Sequence, residues 1–389
     1  MNSLDILERL VAFPTVSNDT NLGLIEFVRA TLADHGVDSE LVHDETGRKA
    51  NLFATVGPRD MGGVVLSGHT DVVPVEGQTW SMPPFCLTEK DGRLYGRGAA
   101  DMKGFVAASL AVALRAADMD LALPLHLALS YDEELGCLGV HGLLKHLAAG
   151  ANRPRLCLVG EPTSMQVATG HKGKAEARVV CIGREAHSSL APLAQNAIHL
   201  GCEFVAALRA EQARLVREGA RDEAYDVVYS TLHVGVMRGG VSVNIVPNRC
   251  ELEIELRHLP GDDISPIFDN LRREARRIEA AARRIAPEAA VELRRTHGYP
   301  GLDTPVDCAA VRLIQALTGK NTTTKVAFGT EGGLFEQYLG VPTVVCGPGS
   351  IAQAHKPDEF VTIDQMQRCD AMLDTLLKRL CASYPGIAV

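Results

Sequence analysis

The order of apolar and polar positions divides the chain into three stretches. In the first, short apolar runs alternate with helical periodicity. Residues 51–56 read as a strand, and 63–68 (Gly-Val-Val-Leu-Ser-Gly), 125–130 and 156–159 as strands buried on both faces. Between them, 102–117 is alanine-rich and helical, and 138–149 is a further helix. A first helix, capped by Asn2 or Ser3 and carrying Leu7, Leu10 and Val11, is expected to end ahead of Pro14. Buried strands alternating with helices predict an α/β layer architecture.

The pattern changes after about Lys174. Residues 177–182 read as a strand, 192–208 as a helix, and 241–246 and 250–256 as strands split by Pro247-Asn248. The last of these alternates strictly, which predicts one wet face. Residues 263–286 form a long amphipathic helix with the stripe Ile264, Ile267, Leu271, Ala275, Ile278, Ala282 and Ile285. A strand at 291–295 follows. This is an α+β unit placed inside the first domain, with expected boundaries 1–174 and 298–389 for the outer domain and 175–297 for the insert. Afterwards the α/β character returns, with a helix near 306–317, a strand at 343–346 and a closing helix at 363–380.

Composition narrows the partners. The 389 residues are 46% hydrophobic, enough for large cores in two domains. Lys and Arg number 39 against 48 Asp and Glu, a formal charge of −9. No basic excess exists to neutralise phosphates, so nucleic acid and anionic membrane are not expected partners. The arginines of 263–286 interleave with Glu274 and Glu279 and read as a solvated helix face. Ten scattered cysteines without a Cys-x-x-Cys pair read as reduced thiols. The first residues show no signal-peptide pattern, and no window reaches the ~18 apolar residues of a membrane span, so a cytoplasmic protein is expected.

Candidate chemistry sits where the apolar runs stop. His69 and Asp71 follow the run 63–68, Glu133 and Glu134 follow 125–130, and Glu161 follows 156–159. Asp101 lies in Gly98-Ala-Ala-Asp-Met-Lys-Gly104, and His355 in Gln353-Ala-His-Lys-Pro357. In open α/β sheets, sites form at the carboxyl ends of strands. Taken singly, each residue has an ordinary reading. Asp101 could cap a helix, Glu133 and Glu134 could open one, and His355 could be a solvated loop histidine. Taken together, two imidazoles and several carboxylates without a cysteine suit two Zn²⁺ ions sharing a bridging carboxylate. Two such ions can clamp an amide carbonyl and ionise a water near neutral pH. Asp71 is placed to orient the His69 ring.

The segments Ser67–Asp71, Tyr95–Gly104, Asp132–Leu135, Val159–Pro162 and Ala186–Ser189 resemble, over essentially the whole chain, the di-zinc aminoacylase/carboxypeptidase family. The resemblance implies a three-layer catalytic domain with a mostly parallel sheet, and a ferredoxin-like lid and dimerisation insert. One zinc would take His69, Asp101 and Glu161, and the other Asp101, Glu134 and His355, with Co²⁺ able to substitute. Glu133 would be the general base and Asp71 the orienter of His69. His187 would cross from the partner subunit of a homodimer to the oxyanion. Asn244 and Arg257 would contact a small N-acyl amino acid, Arg257 through its carboxylate. Segments 171–173, 329–331 and 347–359 are most similar to the branch acting on N2-acetyl-L-ornithine. A desuccinylase, N-acetyl-citrulline deacetylase, aminoacylase or dipeptidase activity is the alternative. Glu331 would pair with the substrate's ammonium, or else be an acid behind the site or in a solvated loop.

Overall fold

The computed structural model describes residues 1–150 and 153–381. These fall into two compact units, Met1–His171 with Leu302–Val389, and Lys172–Gly301.

The first unit is built on a nine-stranded sheet. Its order is Ser39–His43, Ala50–Val56, Leu125–Ser130, Val64–His69, Leu156–Val159, Thr343–Val345, Val167–His171 and Leu302–Asp303, with Thr323–Val326 also on Val167–His171. The sheet is mixed. Its centre, from Leu125–Ser130 through Val64–His69 and Leu156–Val159 to Thr343–Val345, is parallel, whereas the pairings at Ser39–His43, Ala50–Val56 and Leu302–Asp303 are antiparallel. All six residues of Val64–His69 and of Leu125–Ser130 are buried. Coverage of both faces is why these runs lack polar alternation. Three adjacent parallel strands thus deliver His69, the 131–134 turn and Glu161 to one edge.

Helix Gly104–Ala117 packs beneath that edge, and its alanines let it come close. A Cβ on Gly160 would lie 1.8 Å from the ring of Phe105, so the residue before Glu161 must be glycine for this helix to seat. The helix reading of 102–117 is accurate except at its start, where Ala99–Lys103 makes a wider turn with Asp101 and Met102 outside helical φ/ψ. Helix Ser3–Val11 is capped by Asn2, whose Oδ1 accepts from the backbone N of Leu4 and Asp5 at 2.9 Å each. It ends before Pro14, and its last carbonyls are served by a buried lysine. Lys103 Nζ donates to Leu10 O (3.1 Å) and Phe13 O (2.8 Å). Burial lowers this ammonium to about 7. Both carbonyls also accept backbone bonds, Leu10 O from Phe13 N (3.2 Å) and Phe13 O from Thr15 N (2.9 Å). Lys103→Met therefore removes the second donor of each and should lower stability by about 1–3 kcal/mol. A thermal melt checks this, and an unchanged midpoint would show that the backbone donors suffice.

The second unit runs strand, helix, strand, strand, helix, strand, which is the ferredoxin-like order. Its antiparallel sheet has the order Thr231–Gly239, Arg249–His258, Gly173–Ile182 and Ala290–Tyr299. Phe204 and Leu208 of Ala197–Glu218, and Phe268 and Leu271 of Ser265–Ala282, pack with Leu252, Ile254 and Leu256 of the sheet in one core. Burial alternates along Arg249–His258, as its sequence pattern predicts.

Three expectations for this unit change. Residues 241–246 are not a strand. Gly240 at φ +77° turns the chain away, and Val241 and Val243 are 89% and 99% exposed. An alternating pattern makes a strand only where a neighbour supplies hydrogen bonds, and the pairing strand is the less regular Thr231–Gly239. The helix expected at 192–208 starts at Ala197, because Asn196 Oδ1 accepts from Ile198 N (2.9 Å) and His199 N (3.3 Å). The long amphipathic helix stops at Ala282, so Ile285 falls outside it and is exposed, while Phe268 joins the buried stripe. No helix among the described residues is long and apolar enough to cross a membrane.

Candidate metal centre

Each donor in the first unit is positioned by a different device. His69 ends a buried strand. Its Nδ1 donates to the backbone carbonyl of Asp71 at 2.9 Å, with the Asp71 carboxylate at 3.6 Å. The orienting role expected of Asp71 is thus carried mainly by its backbone. Its carboxylate instead accepts from Ser17 Oγ (2.7 Å), Glu133 N (3.0 Å) and Glu134 N (3.3 Å). Asp71 thereby ties the 131–134 turn to the end of the neighbouring strand. Asp132 completes the turn at φ +51° and is gripped by Lys49 Nζ at 2.6 Å.

The donor atoms converge. His69 Nε2 lies 3.1 Å from Asp101 Oδ1 and 3.8 Å from Glu161 Oε1. His355 Nε2 lies 3.3 Å from Asp101 Oδ2 and 3.0 Å from Glu134 Oε1. Donor atoms of His69, Glu133 and Glu161 fall within 4.8 Å of one another, as do those of His69, Asp101 and Glu134. Two ligand atoms bound at ~2.0–2.2 Å to one tetrahedral ion stand roughly 3.3–3.6 Å apart, so the spacing fits. Asp101 turns one oxygen to each imidazole, as a bridging carboxylate must.

The electrostatics also fit cations. Burial raises Glu161 well above the carboxylate range, and the Asp101 charge raises it further. Burial, Glu134 and Glu331 bring Glu133 to about 8. Glu134 is raised by burial and by Asp101. Hydrogen bonds donated to Asp101 and then to Glu134 raise His355 to about 10. Burial by itself would lower His69, but its bonds to Asp101 and Asp71 outweigh this and raise it well above 6.5. Crowded acids that hold protons, and imidazoles that stay charged, mark a place where positive charge is wanted. Divalent ions supply it without protons.

Glu133 differs from Glu134 in its partners. Its Oε1 accepts from the Cys137 thiol at 3.2 Å, whereas Glu134 faces His355. Nothing local marks Cys137 along the chain, because only the left-handed turn at Gly136 (φ +102°) and Cys137 (φ +58°) folds its sulfur back. Glu331 is 1% exposed and lies behind Ser67, whose Oγ donates to it at 3.4 Å. Burial lifts this carboxyl to about 7. It is therefore a buried acid and not a solvated loop acid.

The insert carries the other three residues. His187 is exposed, with Nδ1 on Ser189 Oγ at 2.8 Å. Asn244 is exposed, and its Oδ1 accepts from Ser242 Oγ at 2.6 Å. Arg257 was expected to receive a carboxylate from substrate. Within its own unit, Glu255 already takes Nε (2.9 Å) and Nη2 (3.1 Å), and Tyr299 takes Nη1 (2.9 Å).

Residues 65–379 match the family model described as peptidase family M20/M25/M40. The chain belongs to this family. As an M20/M25/M40 member it is a metal-dependent hydrolase. It is 35% identical over 383 residues to acetylornithine deacetylase of Myxococcus xanthus, covering 96% of each chain. It is 33% identical over 389 residues to acetylornithine deacetylase of Photorhabdus laumondii, covering 98% of this chain and 97% of that one. Among solved structures, the M20 family metallo-carboxypeptidase Sso-CP2 from Sulfolobus solfataricus superposes with a TM-score of 0.81 at 20% identity, over 99% and 100% of the two chains. YXEP of Bacillus subtilis, described as a dinuclear metal-binding peptidase of the M20 family, gives 0.67 at 14% identity, over 97% of each. These structural likenesses establish the shared fold.

Proposed function

We propose that the protein hydrolyses N2-acetyl-L-ornithine to L-ornithine and acetate, using two zinc ions. The observation that carries the reading is Asp101, with Oδ1 toward His69 and Oδ2 toward His355. The similarity to two acetylornithine deacetylases over nearly the full chain supports the substrate. His69, Asp101 and Glu161 would hold one ion, and Asp101, Glu134 and His355 the other. Bound there, the ions supply Lewis-acid polarisation of the amide carbonyl and a lowered pKa for water.

The chain's own residues move the proton. Glu133 takes a proton from the attacking water as the new C–O bond forms, and gives it to the departing nitrogen as the C–N bond breaks. The Glu133 donor atom lies within 4.8 Å of those of His69 and Glu161, close enough to the ligand cluster for this shuttle. Cys137, donating to one oxygen of Glu133, leaves the other free for the reaction. Asp71 fixes the backbone N of Glu133, and so the direction of its side chain.

A panel of acetylated and succinylated ornithine, citrulline and diaminopimelate, with a dipeptide, tests the substrate. The expected result is the highest kcat/KM on N2-acetyl-L-ornithine with zinc, retained with cobalt. A preference for a succinylated substrate or the dipeptide would replace the proposed substrate while leaving the metal chemistry in place.

A further inference from the structure

Two of the donors, Asp101 and His355, come from a wide turn and a loop rather than from strand ends. Behind them runs a connected set of side chains with no part in the chemistry above. Arg97 and Glu359 are each 1% exposed and paired at 2.6 Å through Nη1 and Oε2. The other oxygen of Glu359 accepts from the backbone N of Ala100 (3.0 Å) and of Asp101 itself (3.1 Å). Arg97 continues in the opposite direction. Its Nη1 reaches Lys356 O at 3.3 Å, and its Nη2 donates to Gln78 Oε1 at 2.6 Å. The Trp80 ring lies 4.9 Å from the guanidinium carbon, and its Nε1 donates to the same Gln78 oxygen at 3.1 Å. Gln78 Nε2 then donates to the backbone carbonyl of His355 at 3.1 Å. The amide orientation of Gln78 is fixed by its neighbours, since Arg97 and Trp80 can only donate and a carbonyl can only accept.

The result is a continuous line of hydrogen bonds from the N–H of Asp101, through Glu359, Arg97 and Gln78, to the C=O of His355. The loop end needs it. His355 sits at φ +63°, a region that costs a side-chain-bearing residue, and its side chain is 48% exposed. His69 and Glu161, by contrast, leave strands held by the sheet ladder. We propose that Gln78, oriented by Arg97, is a positioning residue that sets the affinity of the Asp101–Glu134–His355 group for its divalent ion. The His69–Asp101–Glu161 group does not depend on it. This inference rests on the two-ion reading given above.

The test uses the full chain, stripped of metal and titrated with Zn²⁺ in competition with a chromophoric chelator. Wild type should take up two equivalents. Gln78→Ala should keep one at wild-type affinity and weaken the other about 10–100-fold. Gln78→Glu should show the same selective weakening, because a carboxylate still accepts from Arg97 and Trp80 but cannot donate to the His355 carbonyl. Melting of the metal-free variants should match wild type, which separates positioning from loss of fold. Unchanged affinity in both variants, wild-type affinity in Gln78→Glu, or equal weakening of both equivalents would each overturn the proposal. A wild type that binds fewer than two equivalents would remove the two-ion reading as well. A two-ion wild type with an indifferent Gln78→Ala removes this inference alone.

Discussion

Glu133→Gln is expected to retain both metal equivalents and to lose turnover by roughly 10²–10⁴-fold, the range for removal of a general acid–base. The substitution keeps shape and hydrogen-bonding reach, so Asp71 can still hold the turn through the backbone N of residue 133. What disappears is a group that can accept and return a proton. The loss should fall on kcat, with KM little changed, because the contact matters in the transition state. Metal analysis alongside steady-state kinetics checks both halves. Near-normal turnover would remove Glu133 as the base. Loss of one metal equivalent would instead make Glu133 a ligand, a role its position within 4.8 Å of His69 and Glu161 donors permits.

Removing the metals should have the second large effect. Chelation is expected to abolish turnover, and Zn²⁺ or Co²⁺ to restore it. The stripped protein should also respond to pH in a characteristic direction. Glu133 and Glu331 have folded-state values of about 8 and 7, above the ordinary 4.5. Between those limits the folded chain holds protons that the unfolded chain releases, so raising the pH favours unfolding. The imidazoles act the same way. The stability they contribute is complete below about 6.5 and is lost as pH rises through their raised folded values, about 10 for His355. Asp71 and Asp101 are lowered and matter only in the acid range, below about pH 4. Glu331 alone, 1% exposed and shifted from 4.5 to about 7, corresponds to roughly 3 kcal/mol. Metal-free melting temperature should therefore fall from pH 5 to pH 8. With ions bound, the fall should shrink or reverse, since a ligand at 1,000 times its Kd adds about 4 kcal/mol per site. A stripped protein that gains stability toward pH 8 would contradict this account of the site.

Some misreadings of the sequence share one cause. The apolar 241–246 segment reads as a strand but is an exposed loop, while Thr231–Gly239 carries the pairing. Periodicity reports which faces could be buried, not whether a neighbour is there to bury them. Glu331 shows the same limit at the site. Its motif pointed to a functional acid, but whether that acid meets solvent or lies behind Ser67 depends on where helix Gly332–Leu339 begins against the sheet. Arg97 and Glu359 were visible within family-like motifs, yet 262 positions separate them, and nothing local pairs them.

By itself, the sequence determined the buried parallel strands, the change of character at the insert, and the residue types able to hold divalent ions. Fully apolar runs ending in His or Glu can be satisfied in few other ways. Only the tertiary structure decided which donors come together, that Asp101 turns one oxygen to each histidine, and that the backbone of Asp71 orients His69. It also decided that Glu255 already occupies Arg257. These are distances between groups far apart along the chain, and the packing that sets them is a property of the whole fold.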